Sequence, residues 1–252
     1  MFFRLLLRKI IPDKYHSQVQ SIYFILRSLY YLGNKVTCPC CDRHFRKFLP
    51  DLGRPNAQCP RCASLERHRL LWLYLTDKTN FFKDKLKILD ISPLVYFSQK
   101  CKSLPNLNYI DADIDSSTVA IKLDITVMPL LDNQFDGIIC YHVLEHVQDD
   151  QSAMRELFRV LKPGGWAILQ SPIDENRGRT FEDPSVIDPE DRKRVFGHSD
   201  HVRIYGLDYV NRIQNAGFIV IVDDYIKRLP NNFVLKYGLE EGEVIYYCTK
   251  PK

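Results

Sequence analysis

The chain has 252 residues, of which 45% are hydrophobic and 26% charged, and its formal net charge is +4. This composition is ordinary for a soluble globular protein with a sizeable buried core. No uncharged apolar run reaches the ~18 residues of a membrane-spanning helix, so we expect no transmembrane segment.

The first predicted region, residues 1–34, is a basic amphipathic helical segment. Arg4, Arg8 and Lys9 interrupt its apolar start, and no small-residue cleavage site follows, which is not typical of a secretory signal. We interpret it as a helix packed on the protein, with an interfacial helix on an anionic membrane as the alternative. We therefore expect a cytoplasmic protein, peripheral at the membrane if the alternative holds.

Positive charge is concentrated at the front of the chain. Residues 1–76 hold 13 Lys and Arg against 4 Asp and Glu, a balance of +9, and the remainder holds 22 against 27. Such a front end favours nucleic acid, an anionic glycan or a membrane surface as a partner. The alternative is a basic face without a polyanionic partner.

The clearest motif is a pair of C-x-x-C knuckles in the second predicted region, residues 35–76. Cys38 and Cys41 form the first knuckle, Cys59 and Cys62 form the second, and 17 residues separate them. This spacing is typical of a four-cysteine zinc site, because two tight turns each deliver two thiolates to a tetrahedral ion. Four thiolates leave no open position, so we predict a structural zinc ion in a small zinc-ribbon-like module.

Two features of this module leave alternatives open. Cys40 or His44 can compete as a ligand, although we prefer the two symmetric knuckles and expect Cys40 to be a bystander. Between the knuckles, RHFRKFLP interleaves basic residues with Phe45 and Phe48. We prefer the interpretation that both rings pack inside the module, and the alternative is a nucleic-acid surface with stacking aromatic rings.

The third predicted region, residues 77–252, alternates strand and helix patterns after a linking helix. The alternation predicts an α/β domain with a parallel, doubly wound sheet, which binds ligands beyond the carboxyl ends of its strands. An amphipathic helix is predicted before the stop signal Lys162–Gly165, and another over 207–218. Seven strands are predicted, over 86–92, 107–114, 119–125, 135–143, 166–172, 218–225 and 243–250.

Four segments of this region follow one another in a familiar order between about residues 86 and 250. They are ILDIS, LDITVMPLLDNQFDGIICYHVLEHV, RELFRVLKPGGWAILQSP and NAGF. Together they resemble the class I S-adenosylmethionine-dependent methyltransferases of the type 11 group. The resemblance implies a Rossmann-like seven-stranded sheet whose last strand is antiparallel, and transfer of a methyl group from S-adenosylmethionine.

The resemblance also implies which acidic residues at strand ends hold the cofactor. Asp113, with Asp111 as the runner-up, closes the second strand and accepts hydrogen bonds from the ribose hydroxyls. Asp124 follows the third strand and caps the adenine amino group, and Ile125 offers its backbone N–H.

The loop after the first strand departs from the family pattern. A Gly-rich G-x-G loop is usual there, but this chain reads Asp90-Ile91-Ser92-Pro93-Leu94. No glycine allows the close backbone approach of a cofactor, and Ser92 is expected to bond the cofactor carboxylate instead. Asp90 and Ser92 are thus counted as cofactor residues, with Tyr141 and His142, which line the methionine end. The departure leaves a binding-only protein without turnover as an alternative.

Glu145 and His146 come next in the chain, in the segment LEHV. We interpret them as capping and solvent-contacting residues at the start of a helix, with a part in the site as the alternative.

A long polar insertion over 173–206 is interpreted as a lid or substrate loop. His201 is the first candidate for a base that takes a proton from the acceptor, and His198 and His142 stand behind it. Arg203 is a candidate for holding an anionic acceptor.

We therefore predict a methyltransferase whose acceptor is unidentified, with a small molecule, a glycan or a lipid-linked precursor favoured. The alternative is a zinc-ribbon nucleic-acid-binding protein, or an RNA methyltransferase with a degenerate cofactor loop.

Overall fold

The computed structural model describes residues 16–116 and 118–252, and the chain forms two compact units. The first unit comprises the chain up to Tyr74 together with Ile226–Glu243, and the second comprises Leu75–Tyr225 and Val244–Lys252. The predicted division at 76/77 lies close to the first boundary. The prediction assigned residues 226–243 to the second domain, whereas the structure places them in the first unit. The first fifteen residues of the predicted N-terminal helix lie outside the described residues.

The first unit opens with helix α1 (His16–Tyr30), which lies within the predicted helical segment. Two antiparallel pairs of short strands follow, β1 (Leu32–Cys38) with β2 (Arg43–Phe45) and β3 (Leu49–Asp51) with β4 (Arg54–Gln58). Helix α2 (Glu66–Lys78) then begins in this unit and ends in the next.

The second unit is built on a seven-stranded sheet. Its strands lie in the order β12 (Ile219–Asp223), β13 (Ile245–Thr249), β9 (Leu161–Gln170), β8 (Phe135–Tyr141), β5 (Leu86–Ile91), β6 (Leu107–Asp113) and β7 (Ile121–Lys122). Only β13 runs antiparallel to its neighbours, so the predicted seven strands and the antiparallel last strand are confirmed. The elements in chain order are β5 (Leu86–Ile91), α3 (Val95–Lys102), β6 (Leu107–Asp113), β7 (Ile121–Lys122), β8 (Phe135–Tyr141), α4 (Asp150–Val160) and β9 (Leu161–Gln170).

Strand β5 lies at the centre of this sheet because it is buried and pairs on both sides. Ile88 is registered with Tyr109 of β6 on one side and with Gly137 of β8 on the other. The chain therefore leaves β5 in one direction and later returns to its other flank. This reversal opens a crevice beyond the carboxyl ends of β5, β6 and β8, where α/β sheets bind ligands.

Helix α4 covers the sheet as its sequence predicts. The Asp149 side chain caps it by accepting from the backbone N–H of Ser152 at 2.9 Å. Met154 and Leu157 are fully buried in the core. The helix ends at Val160, so Lys162–Gly165 does stop it.

Strand β9 begins earlier than predicted, at Leu161 rather than at Trp166. Leu161 pairs with Phe135, and the next paired residue, Trp166, faces Gly137 across an irregularity in the ladder. Gly164 lies inside this irregularity with φ +76. The stop signal for the helix therefore doubles as a bulged start of the strand.

The insertion over 173–206 has secondary structure of its own. β10 (Phe181–Glu182) pairs antiparallel with β11 (Arg203–Ile204), and between them lies α5 (Pro189–Phe196), which the Asp188 side chain caps. Helix α6 (Tyr209–Asn215) follows and is shorter than the predicted 207–218.

The last elements are β12 (Ile219–Asp223), a 3-10 turn (Tyr225–Arg228), α7 (Asn231–Tyr237) and β13 (Ile245–Thr249). Helix α7 belongs to the first unit, whereas β12 and β13 belong to the sheet. Within the described ranges, no helix has both the length and the apolar character that crossing a membrane requires.

Candidate functional site

The first unit brings the four predicted zinc ligands together. The Sγ atoms of Cys38 and Cys62 lie 3.6 Å apart, and those of Cys41 and Cys59 lie 3.7 Å apart. A disulfide needs about 2.05 Å, so the thiols are not bonded to one another. A tetrahedron with metal–sulfur bonds of about 2.3 Å has edges of about 3.8 Å. The four thiols therefore fit one tetrahedral ion.

Both alternative ligands point elsewhere. The Cys40 thiol lies 3.5 Å from the backbone oxygen of His68, outside the group of four. His44 Nδ1 is 2.9 Å from the hydroxyl of Thr37.

Polar groups around the four thiols suit a negatively charged centre. Ser64 Oγ lies 3.2 Å from the sulfurs of both Cys38 and Cys62, and the backbone N–H of Arg61 donates to the Cys59 sulfur at 3.4 Å. Thiolates bound to a metal accept such hydrogen bonds, and these outer contacts orient the ligands.

Arg69 is the one fully buried cation beside the knuckles within the described chain. Its guanidinium donates to the carbonyls of Ala57 and Ser64 at 2.7 and 3.0 Å, and to those of Tyr237 and Gly238 at 2.6 Å. Burial lowers its pKa and the neighbouring thiols oppose this shift. Arg69 thereby ties the knuckle region to the segment after α7.

Phe45 and Phe48 do not form a stacking surface for bases. Both side chains are buried, with 0% and 1% of their area exposed, and the Arg69 guanidinium lies 3.9 Å from the Phe48 ring centroid. The favoured alternative in the sequence, that the rings pack inside the module, is the one observed. The alternative of aromatic stacking on nucleic acid therefore does not apply to these two residues.

At the carboxyl edge of the sheet, Ser92 and Asp113 meet directly. Ser92 follows β5 and Asp113 ends β6, and the Ser92 hydroxyl donates to Asp113 Oδ2 at 2.6 Å. Ser92 has φ +53, the left-handed conformation that the usual glycine adopts without strain. The loop therefore has the backbone turn of a Gly-rich loop although it lacks glycine.

Asp113 is better placed than Asp111 to meet a ligand. Asp111 is buried and accepts from Ser98, Lys102 and the Ala120 N–H at 2.6 to 2.8 Å. Asp113 is partly exposed at the strand end. Burial there opposes ionisation, but hydrogen bonds led by that of Ser92 hold the pKa of Asp113 below its usual range.

Asp90 lies in the same strand end but beneath the surface. It is buried and accepts a hydrogen bond from the Tyr109 hydroxyl. Burial raises its pKa to about 8, with Asp111 adding to the shift and Tyr109 opposing it. The carboxyl is therefore mostly protonated at neutral pH, and its observed role is to support the loop from below.

The remaining predicted cofactor residues follow the neighbouring strands. Asp124 is exposed two residues after β7 and caps its own turn by accepting from Thr126 at 2.8 Å, and Ile125 is buried. Tyr141 ends β8, and His142 follows with φ +59 and donates its N–H to the Gln170 carbonyl at 2.8 Å. All lie on the carboxyl side of the parallel strands, as predicted.

Glu145 and His146 differ from the prediction that they cap a helix in contact with solvent. They lie in a 3-10 turn, Leu144–His146, and Glu145 is 2% exposed. Glu145 accepts from Ser171 Oγ at 2.8 Å and lies 3.1 Å from His142 Nδ1. Burial opposes its ionisation, but His142 holds the pKa of Glu145 below its usual range. The buried Nε2 of His142 has no hydrogen-bond partner among the described residues.

The insertion adds the two other predicted bases to this turn. The His146 ring lies 4.8 Å from that of His201 and 6.5 Å from that of His198, measured between centroids. Asp200 contacts the Nδ1 atoms of both His146 and His198. Burial lowers the pKa of His201, and the neighbouring Glu145 opposes this shift. Sequence spacing does not predict this cluster, because 51 or more residues separate its two parts.

Arg203 is not available to an anionic acceptor. It is 2% exposed, donates to the carbonyls of Leu144, Val147 and Gln148, and pairs with Glu182 at 3.0 Å. The prediction that it binds the acceptor is wrong. Its contacts instead fix the 3-10 turn against the insertion.

Comparisons with known proteins find methyltransferases that are similar to parts of this chain. A family model described as a methyltransferase domain matches residues 84–169. The chain is 38% identical over 64 residues to a ubiquinone/menaquinone biosynthesis C-methyltransferase, UbiE of Pasteurella multocida, which covers 25% of this chain and 20% of that protein. It is 46% identical over 43 residues to a ubiquinone biosynthesis O-methyltransferase of Pseudomonas fluorescens, covering 17% and 18%. The chain thus matches about a fifth of the length of these curated relatives.

Two solved structures show the same fold. The [4+2]-cyclase SpnF has a TM-score of 0.52 at 16% identity, covering 93% of this chain and 96% of that one. Phosphoethanolamine N-methyltransferase 2 of Haemonchus contortus, in complex with S-adenosyl-L-methionine, has a TM-score of 0.50 at 14% identity, covering 74% and 53%. The second unit therefore has the fold of the class I methyltransferases. One of these two proteins is named as a cyclase, so the fold alone does not fix the reaction.

The buried Asp90 carboxyl predicts a pH-dependent stability. Between its ordinary pKa near 4 and its value of about 8, the folded state holds a proton that the unfolded state has released. Stability therefore falls as pH rises through this window, by up to about 1.4 kcal/mol per pH unit. Asp90→Asn removes this pH-dependent contribution to stability and keeps a side-chain oxygen that accepts the Tyr109 hydrogen bond.

The measurement is urea unfolding of both proteins at several pH values between 5 and 9. We expect the difference in unfolding free energy between variant and wild type to grow with pH until about pH 8 and then level off. A difference that stays constant over the whole range would show that Asp90 is ionised in the folded protein.

Proposed function

We propose that this protein is an S-adenosylmethionine-dependent methyltransferase and that the crevice beyond β5, β6 and β8 holds the cofactor. The observation that carries the proposal is the Ser92–Asp113 contact at 2.6 Å, at the point where the strand order reverses. The matched methyltransferase domain covers both residues. The relatives differ in the atom they methylate by their printed names, so the acceptor stays unassigned at this level.

Three features of the crevice fit the cofactor. The left-handed Ser92 lets the backbone turn tightly without glycine. The ionised Asp113 offers acceptor oxygens for the ribose hydroxyls, although Ser92, Asp115 and Ser116 already donate to it. A carboxylate accepts about four hydrogen bonds, so a ribose diol displaces the Ser92 hydroxyl, which then turns to the cofactor carboxylate.

The third feature is the orphaned Nε2 of His142, a buried ring nitrogen at the expected methionine end. A buried polar atom without a partner costs about 1–3 kcal/mol, and a bound ligand removes that cost. Tyr141 lies beside it, and Asp124 and Ile125 are the proposed contacts of the adenine.

The cofactor supplies an activated methyl group on a sulfonium. The protein holds and orients the two reactants and excludes water, which is the main requirement of an in-line transfer. His201, His198 and His142 are the candidate bases, and we place the acceptor beside them.

This proposal predicts that Asp113→Asn weakens S-adenosylmethionine binding at least about tenfold, because charged hydrogen bonds to the ribose are lost. Isothermal titration calorimetry measures the affinity. Asp132→Asn is the matched control, because Asp132 is an exposed carboxylate paired with Arg159, and it leaves binding unchanged. Equal affinity of Asp113→Asn and wild type would contradict the assignment.

We also propose that Cys38, Cys41, Cys59 and Cys62 hold one structural zinc ion. The support is the spacing of the thiols and the position of Ser64 Oγ, 3.2 Å from the sulfurs of both Cys38 and Cys62. The ion organises a unit whose strands are short.

Elemental analysis of the purified protein tests the zinc proposal. We expect one zinc per chain in wild type and in Cys40→Ser, and loss of zinc with lowered thermal stability in Cys59→Ser, since a structural ion contributes directly to folding. Cys40 is a fair control because it is equally buried but outside the four. Loss of zinc in Cys40→Ser with retention in Cys59→Ser would overturn the assignment.

A peripheral membrane role is the second proposal for the N-terminal region. Ile22, Ile25, Leu26 and Leu29 form a stripe at helical spacing on α1, and each is between 44% and 61% exposed. Arg27 faces the other way and donates to the Pro60 and Cys59 carbonyls at 2.7 and 3.1 Å. The stripe fits the boundary of a bilayer, and the charge balance of +9 over residues 1–76 favours an anionic one.

Replacing Leu26 and Leu29 with Glu is expected to weaken binding to anionic vesicles more than about tenfold. Each leucine that becomes buried in the bilayer contributes about 1.5–3 kcal/mol to binding. Co-sedimentation with vesicles of phosphatidylcholine, with and without phosphatidylserine, measures it. Leu131→Glu, at an exposed leucine of the second unit, serves as the control. If the double variant and the control pellet alike, α1 does not bind lipid.

A further inference from the structure

A cluster of metal-binding side chains lies beside the proposed cofactor residues. We call it the histidine cluster and define it as Glu145, His146, His198, Asp200 and His201. Its donor atoms fall into two sets that share His201, and within each set all ligand atoms lie within 4.8 Å of one another. One set is Glu145, His146 and His201, and the other is His198, Asp200 and His201.

The first set is better built for a cation. Glu145 is buried, and His146 and His201 are half-buried, so an ion between them is partly withdrawn from water. In the second set, His198 and Asp200 are more than half exposed and are already hydrogen-bonded to each other. Two imidazoles and one carboxylate form a common donor set for divalent transition metals.

Outer contacts hold the first set in place. The Asp200 carboxylate and carbonyl lie 3.4 and 3.2 Å from His146 Nδ1, which leaves Nε2 of that ring for a ligand bond. Ser171 donates to one oxygen of Glu145, and His142 lies 3.1 Å from the other. Carboxylate–histidine pairs and hydrogen-bonded carboxylates are the usual second layer around bound metal ions.

The backbone also joins the two parts of the cluster. The N–H of Val202, next to His201, donates to the Glu145 carbonyl at 3.0 Å. Arg203 fixes the same turn through three carbonyls. The insertion is thereby attached to the 3-10 turn at the residues that carry the donor atoms.

We propose that Glu145, His146 and His201 bind one divalent transition-metal ion, separate from the four-cysteine site. Three protein ligands leave coordination positions open, unlike the closed set of four thiols. The zinc module therefore supports the fold, whereas this ion is placed to meet a substrate.

The ion also narrows the chemical class of the acceptor, and this step rests on the proposed methyltransferase function. An acceptor hydroxyl that binds the ion loses its proton more readily, and the proton leaves to solvent. The resulting oxygen forms a bond to the methyl carbon while the carbon–sulfur bond breaks, and the electron pair stays on sulfur to give the neutral thioether. The geometry thus favours an oxygen acceptor, with His201 as a ligand rather than a base.

Mn²⁺ is the probe, because it prefers nitrogen and oxygen ligands and does not compete for the thiolates. The full chain, purified with its zinc, is titrated with Mn²⁺, and the free ion is counted by electron paramagnetic resonance. We expect one bound Mn²⁺ per chain. His146→Ala and His201→Ala each weaken binding at least about tenfold, while His198→Ala changes it by less than about threefold. His44→Ala, in the first unit, is a control that leaves binding unchanged.

Three results would overturn the site: no bound Mn²⁺ in wild type, wild-type affinity for Mn²⁺ in both His146→Ala and His201→Ala, or loss of binding in His198→Ala with retention in His146→Ala. Circular dichroism shows that the variants are folded, and S-adenosylmethionine titration tests the proposed function separately. Mn²⁺ binding without cofactor binding would contradict the proposed function but support the ion site. Cofactor binding without Mn²⁺ binding would support the proposed function but contradict the ion site.

Discussion

The parallel pairing of β5 with strands on both of its sides is the constraint on which the second unit depends. Because β5, β6 and β8 run in the same direction, their carboxyl ends lie on one edge of the sheet. Ser92, Asp113 and His142 each come at or just after such an end. A shift of one residue in the β5–β6 ladder would separate the Ser92 hydroxyl from the Asp113 carboxylate, since the two groups meet across this strand pair.

The two candidate metal sites differ in ligand type and in burial, and this difference indicates a structural role for one and a substrate-binding role for the other. Four buried thiols with Ser64 and Arg69 around them would leave a bound zinc ion no open position, which suits a structural role in a unit of short strands. Two half-buried imidazoles and a buried carboxylate would leave positions open on a bound ion. The same chain thereby carries one site suited to folding and another suited to binding a substrate, each formed from residues of its own unit.

Features that depend on local sequence were predictable. The knuckle cysteines lie a few residues apart, and the strands read as buried apolar runs, so both the four-thiol group and the seven-stranded sheet follow from spacing and hydrophobicity. The family resemblance singles out Asp113 as a cofactor residue, and the structure places Asp113 at the end of β6. The start of β9 was not, since the Gly164 bulge depends on pairing with Phe135 and Gly137.

Features that depend on distant contacts could not be read from the sequence. Arg203 resembles a ligand for an anionic acceptor until its partners are known, and these are carbonyls more than 50 residues away. Glu145 resembles an exposed cap, but Ser171 and the insertion bury it. The left-handed conformation of Ser92 is equally hidden, because a serine in place of glycine suggests the opposite backbone preference.

The most direct test of the account is a crystal structure grown with saturating S-adenosylhomocysteine, the product that keeps the ribose, adenine and amino acid parts of the cofactor. The account predicts density in the crevice beyond β5, β6 and β8, with the ribose hydroxyls within hydrogen-bond distance of the Asp113 carboxylate and the Ser92 hydroxyl turned away from it. Crystals in which this crevice stays free of the ligand, or in which the ribose contacts Asp111 or another surface, would contradict it.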